Sequence, residues 1–194
     1  MAIDATRVLV GAPDQLATGA IMDAPVGSKL PTDATTAVDK AFSDSGYVSE
    51  DGISFKTDKS TTAIKDWSLT TVRKILDEFE AVISWSEIQM SYESLCHAFG
   101  AENVVKTPAD TKHGEQITVK VNASLPEPRA WVFNMKDGKN RIRMVVPNGQ
   151  ITNLDEIALQ GAEVMALPME LSCYPDAEGN AIYIYFDNGE VLVG

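Results

Sequence analysis

The sequence predicts a mainly β protein: an antiparallel β-sandwich or barrel with one flanking α-helix at about residues 91–99. One domain is expected over 1–194, including an extended arm or loop at about 11–52. Three observations predict this. Short stretches of alternating apolar and polar residues recur along the chain. Glycine-containing pairs suited to tight turns (Asp137-Gly138, Asn148-Gly149, Asn188-Gly189) punctuate the second half. Only one stretch has helical spacing. With 194 residues and 44% hydrophobic content, the chain can bury the core of one domain.

Residues 7–10, RVLV, read as a short strand. Residues 11–41 are rich in Pro, Gly, Thr and Asp and show no sustained period. Leu16, Ile21, Met22, Val26, Leu30 and Val38 are scattered through them, so this arm is expected to order against something rather than act as a solvated linker. Ile53 and Phe55 alternate with polar neighbours, and residues 61–67 are the expected partner strand. Residues 78–88 form the clearest strand. Phe79, Ala81, Ile83 and Trp85 are expected in the core, with Glu78, Glu80, Val82, Ser84 and Ser86 on a wet face.

In the helix, Tyr92, Leu95, Cys96 and Phe99 make one apolar stripe, Ser91 is the N-cap, Glu93 favours the first turn and Gly100 stops it. Residues 116–124 alternate again. Residues 131–135 and 140–146 read as a hairpin about Asp137-Gly138, followed by a second turn at Asn148-Gly149. Residues 163–173 are apolar enough for a central strand, although Pro168 argues for an edge or a bulge. Residues 181–186 and 190–193 close the chain as a hairpin about Asn188-Gly189. Trp67, Trp85 and Trp131 all sit in strand patterns that suggest core.

The formal net charge of −12 argues against nucleic-acid binding and against docking on an anionic membrane. The charge is uneven. Residues 111–146 hold seven bases and three acids, whereas residues 147–194 hold eight acids and no Lys or Arg. This pattern is either variation on a solvated surface or head-to-tail complementarity between copies. Two isolated cysteines, Cys96 and Cys173, make no disulfide framework and fit a reduced compartment. The first residues, MAIDATRVLVGAP, lack a signal-peptide pattern and no stretch reaches membrane-spanning length, so cytoplasmic synthesis is expected.

No constellation for catalysis, metal or cofactor emerges. Cys96 and His97 are adjacent, and helical neighbours point about 100° apart, so they form no dyad. Cys96 is expected in the core, His97 at its boundary and His113 in solvent. The two cysteines and two histidines lack zinc-ligand spacing, and Asp44, Glu50, Asp51 and Asp58 lack EF-hand spacing. The Asp and Ser residues around Gly46 and Gly52 read as turn formers. Lys136, Lys139, Arg141 and Arg143 form the one basic cluster, read as a solvated hairpin face or a contact to acidic residues of another copy rather than a DNA patch.

The block FSDSGYVSEDGISF at 42–55 is followed by Trp67 and by a strand containing FEAVISWSEI. Then come Ala98-Phe99-Gly100 with Glu102-Asn103-Val104, and later LSCYPD with Gly179-Asn180. In this order the set resembles the major tail tube proteins of long-tailed bacteriophages, least so over 1–40 and 105–165. The resemblance implies a structural virion protein with no enzymatic activity and no cofactor, related to contractile tail tubes and the type VI secretion tube. It implies six copies per ring and rings stacked into a hollow tube around a tape-measure protein. Tail terminator and baseplate or tip proteins would sit at the ends, and the genome would pass transiently without specific binding or membrane insertion. On this reading Glu78, Glu80, Ser84 and Ser86 are expected to face the lumen, because an acidic or small-polar wall repels DNA. Phe42, Tyr47, Glu50 and Asp51, with the arm, are expected at ring-to-ring contacts. Lys136, Lys139, Arg141 and Arg143 would meet an acidic neighbour. Two other readings are a tail terminator or connector, which stops at a ring, and a β-sandwich ligand-binding module, which needs an exposed aromatic platform.

Overall fold

In the computed structural model, which describes residues 7–14 and 19–191, alternation decides most of the architecture. The strands are β1 (Ala12–Pro13), β2 (Ile21–Pro25), β3 (Ser43–Asp44), β4 (Val48–Lys65), β5 (Thr71–Glu87), β6 (Val104–Thr107), β7 (Gln116–Val119), β8 (Arg129–Asp137), β9 (Asn140–Leu154), β10 (Leu167–Cys173) and β11 (Tyr183–Asp187). The helix α1 is Tyr92–Phe99. An antiparallel sheet runs β3-β2-β8-β9-β10-β5-β4, with β1 on β8 and β11 on β9, while β6 and β7 pair separately. The predicted class holds: mainly β with a single helix. The sheet forms no closed barrel, since β3 and β4, its two ends, are not hydrogen-bonded to each other.

The sheet nevertheless curls strongly. Strands β5 and β8 are three spacings apart, about 14 Å in a flat sheet. Yet the Trp85 ring lies 5.3 Å from that of Trp131 and 5.4 Å from that of Phe133, edge to face. The inner face therefore wraps one core, which includes Ile21, Ile83, Trp85, Trp131, Phe133 and Leu171, with Ala98 of α1 packed into it. A second layer lies on the other side of β2, β8 and β9. There Met22, Ala24, Val132 and Val145 are covered by Phe42, Leu30 and Val38. The described part of the arm packs, as its scattered apolar residues suggest, but against its own sheet; Leu16 lies outside the described residues.

Several elements differ from the reading of the sequence. Residues 7–10 form no strand; the short pairing falls at Ala12–Pro13. The arm contains β2, whose first four residues are buried on both faces, so it shows no alternation to read. Residues 61–67 do not pair back on Ile53 and Phe55. Residues up to Lys65 extend β4, the partner is β5, and Trp67 lies fully exposed in the turn beyond. Phe79 lies half exposed rather than in the core, because no second layer of described residues reaches that far. At Asn148-Gly149 the chain does not turn. Strand β9 runs on and exchanges β8 for β10 as partner, and Gly149 lies where a Cβ would come within 3.0 Å of Leu171. Strand β10 starts at Leu167 and is central; Pro168 is tolerated next to its start, with an irregularity at Glu170/Leu171. Strand β7 covers only Gln116–Val119. After β11 no return strand forms among the described residues, and 192–193 of the expected closing strand lie outside them.

The helix has the predicted span and caps, with Ser91 Oγ accepting from Ser94 N. Its buried face is different: Ser94, His97 and Ala98 point inward, and the apolar stripe is only partly covered. His97 is thus no boundary residue. Its Nε2 lies 3.0 Å from Asp23 Oδ1 and its Nδ1 3.3 Å from Glu87 Oε1, with all three side chains at least 94% buried. Trp85 Nε1 donates to the same Glu87 oxygen at 3.2 Å, and Arg129 Nε donates to the second Asp23 oxygen. The network joins β2, β5, α1 and β8.

Burial alone would push the His97 pKa down, but the hydrogen bonds and charges of Asp23 and Glu87 outweigh it and raise it to about 9. Burial likewise pushes the Asp23 carboxyl up, and His97 with Arg129 outweighs it, holding it below the ordinary range. The two shifts have opposite consequences for stability. The His97 contribution is complete below its unfolded pKa of 6.5 and is lost as pH rises through about 9. The Asp23 contribution is present above the ordinary carboxylate range and lost as pH falls below it. Subunit stability should therefore plateau between these limits and fall by about 3 kcal/mol between pH 6.5 and 9. Denaturant titrations at several pH values check this. His97→Gln should flatten the alkaline limb, and His97→Ala, which leaves two buried carboxylates without a cation between them, should lose about 3–5 kcal/mol.

Candidate assembly surfaces

Strands β4 and β5 pair along most of their lengths, but β10 covers only the last part of β5, from Val82 to Glu87. Beyond that the hairpin projects alone, for about 30 Å. Every residue from 54 to 80 is exposed. Ile64, Trp67, Leu69, Val72, Ile75, Leu76 and Phe79 are among them. A free two-stranded ribbon is marginal in water, and both of its edges present unpaired backbone groups.

The end of this ribbon is nevertheless well defined. Asp66 N donates to Thr70 O at 3.0 Å, and Asp66 Oδ1 accepts from Thr70 N at 2.9 Å and from Ser68 Oγ at 2.7 Å. The Ser68 hydroxyl and then the Thr70 amide hold the Asp66 carboxyl below its usual range. Leu69 takes φ 64°, a left-handed conformation uncommon for a leucine. The turn thus holds Trp67 and Leu69 out into solvent. Midway, Asp77 has no cross-strand partner and Thr62 Oγ1 donates to its carboxylate at 2.8 Å. This bulge re-registers the alternation. On the face that carries Glu78 and Glu80 near the body, Ile75 and Ile64 follow toward the tip.

Glu78, Glu80, Ser84 and Ser86 lie on one face of β5, the two glutamates exposed and the two serines half-buried. Their neighbours extend the polar surface: Ser54, Lys56 and Asp58 on β4, Glu170 and Ser172 on β10. Lys56 Nζ lies 3.1 Å from Asp58 Oδ2, and that contact lifts the Lys56 pKa above its ordinary value. Ser172 and Thr152 share a hydrogen bond of 2.8 Å. The face is small-polar and acidic, and no layer covers it among the described residues.

The other candidate residues are dispersed. Tyr47, Glu50 and Asp51 are exposed where β4 begins, after a turn in which Gly46 takes φ 95° and its N–H donates to Asp44 Oδ1 at 2.9 Å. Phe42 is buried in the second core layer. In the basic cluster, Lys139 pairs with Glu190 at 2.8 Å, Lys136 is half-buried, and Arg141 Nε lies 3.6 Å from Asp14. Arg143 is buried; its Nε donates to Asn134 Oδ1 at 2.7 Å and its Nη1 to the carbonyls of Asp33 and Thr36. The four cations therefore do not form one continuous face.

The thiols are poor nucleophiles in this setting. Burial pushes Cys96 up, and it pushes Cys173 to about 12. Asp23, Glu87 and His97 went unnoticed as a group in the sequence. The available signal was parity: Glu87 continues the inward series Ile83, Trp85, and Asp23 sits within the apolar run IMDAP.

The described residues thus present a buried charged clamp, an exposed apolar ribbon and an uncovered polar face. The chain belongs to the phage tail tube protein family, which it matches over residues 1–190, and it is thus a structural component of the bacteriophage tail. No curated protein matches it. Among solved structures, the tube-terminating cap of the anti-feeding prophage is similar at 11% identity and TM-score 0.45, covering 95% of this chain and 93% of that one. Among the described residues, no helix is long and apolar enough to cross a membrane.

Replacing residues 62–75 by Asn-Gly should leave subunit stability within about 0.5 kcal/mol, because among the described residues no other element packs on this ribbon. Self-association should be lost. Denaturant unfolding and sedimentation velocity on the same sample check both halves.

Proposed function

We propose that the chain assembles into hexameric rings that stack as a hollow tube, through which the genome leaves the particle. The observation that carries this reading is the β4–β5 hairpin: a ribbon with two open edges and exposed apolar side chains, stable only when another chain completes it. Neighbouring copies would supply strands to its edges, which is a heterologous contact and propagates until a ring closes. Tyr47, Glu50 and Asp51 stand on the same body and would meet the next ring; Phe42 would act from within by holding the arm in place.

The uncovered face bearing Glu78, Glu80, Ser84 and Ser86 would line the channel. Carboxylates and small hydroxyls repel a polyanion and give it no purchase, so DNA passes without binding. A tape-measure protein would fill the channel beforehand, with terminator and baseplate or tip proteins closing the ends, and assembly would take place in the host cytoplasm. The role is structural rather than enzymatic. Both nitrogens of the buried His97 are occupied by carboxylates and both thiols are raised, which leaves neither a free base nor a ready nucleophile among them.

Negative-stain electron microscopy of the purified chain tests the assembly: tubes support it, single closed rings indicate a terminator, and persistent monomers count against both. Glu78→Lys combined with Glu80→Lys tests the wall. Tubes of unchanged diameter should form and should retain short single-stranded DNA at low salt, releasing it as salt rises; wild-type tubes should retain none. Equal retention by the two would place these residues elsewhere.

A further inference from the structure

A cavity of about 340 Å³ lies between the arm and the β8–β9 hairpin, lined among others by Thr35, Thr36, Asn134, Arg141 and Arg143. Its polar groups are unevenly satisfied. Arg143 Nε donates to Asn134 Oδ1 at 2.7 Å, which fixes the amide so that Nδ2 is the atom left over. That nitrogen is buried and has no partner, in a residue 93% buried. Arg141 Nη1 is likewise buried and unpartnered.

The nearby acceptors hold other donors. The Asp33 and Thr36 carbonyls take Arg143 Nη1 at 3.0 and 2.7 Å. The Asp33 carboxylate accepts from the amides of Thr35 and Thr36 at 2.7 and 2.6 Å and from the Thr36 hydroxyl. Asp14, the one carboxylate among the residues lining the cavity, approaches Arg141 on its Nε side at 3.6 Å and leaves Nη1 open. A partly enclosed cavity whose orphaned groups are all donors, two of its side chains being guanidinium ions, requires an acceptor, and a charged acceptor most of all.

We propose that this cavity is a carboxylate site, filled in the assembled tube by an acidic side chain from the β9–β10 connection of a second copy. The connection, residues 155–166, is exposed over most of its length, and Glu156 and Glu163 stand exposed on it. It belongs to the part of the chain, 147–194, that holds eight acids and no base, opposite in sign to the β8–β9 region. Glu156 and Glu163 have no ion pair with a described residue. The source of the carboxylate rests on the tube reading; the site itself does not.

The test uses the full chain, with succinate as probe. Below the assembly concentration, succinate at constant ionic strength should raise the thermal midpoint of the wild type by about 2–4 °C and saturate; Arg141→Gln should abolish the rise. A non-saturating response, or one shared equally by Arg141→Gln, overturns the site. At assembly concentrations, Arg141→Glu should lower tube yield at least tenfold, and Glu156→Lys with Glu163→Lys should restore it. If succinate binds but tube yield is unaffected by Arg141→Glu, or the paired reversals fail to rescue it, the neighbour's carboxylate is overturned as the occupant. Should the wild type form no tubes at all, the tube reading fails while the melting experiment still decides the site.

Discussion

His97, held between Asp23 and Glu87, is the contact on which the body of this protein depends. It ties together β2, the end of β5 and the helix, and through Asp23 it reaches Arg129 at the start of β8. An apolar trio of similar volume would serve stability as well or better, since desolvating charges is costly. Charged partners add a register condition. A slip of one residue in β2 or β5 would carry Asp23 or Glu87 to the opposite face and leave the imidazolium unpaired in the core. Glu87 Oε2 has no partner of its own, so this acid depends especially on the cation beside it. The clamp fixes how the arm strand, the long hairpin and the helix meet, and so fixes the direction in which the hairpin leaves the body.

That direction matters because body and hairpin follow opposite rules. Inside the body, Trp85, Trp131 and Phe133 close the curled sheet on itself, and the arm covers the outer side of β2, β8 and β9. Beyond Ala81 the same two strands continue with no layer on either side among the described residues. No other described element packs on that extension. The ordered turn at Asp66, the left-handed Leu69 and the bulge at Asp77 nevertheless shape it closely; on the proposed reading, another chain completes it.

Much of the fold was legible in the sequence where one face is wet and the other dry. The alternation of 78–88 placed Ala81, Ile83 and Trp85 inward correctly, and the caps of the helix were read to the residue. Legibility failed where that contrast is missing. Strand β2 is buried on both sides and looks like an irregular arm; the hairpin tip is exposed on both sides, so its apolar pattern around Trp67 looks like core. The helix misled for a related reason: its buried face is Ser94, His97 and Ala98, polar groups matched to buried carboxylates that no periodicity reveals. Asn148-Gly149 carries a turn signature, but the glycine is needed there for the close approach of Leu171. Of the candidate site residues, the four on the β5 wet face could be grouped by parity alone. The basic cluster could not, because Arg143 faces inward to hold the arm and Arg141 borders a cavity.

A chain of net charge −12 resists stacking on copies of itself. Long-range repulsion of this kind is screened within about 8–10 Å at physiological salt, whereas apolar burial and backbone pairing along the hairpin act at contact and are insensitive to screening. Assembly through the hairpin, as proposed, would have a distance-dependent balance: approach would be disfavoured, and only copies aligned well enough to complete the ribbon would gain enough to stay. Local complementarity between the donor-lined cavity beside Arg141 and the acidic β9–β10 connection would sharpen that alignment without cancelling the overall charge. On the proposed reading, the same excess of acid that discourages disordered aggregation would also suit the wall of a channel for a polyanion, so one composition would serve both the specificity of assembly and the passage.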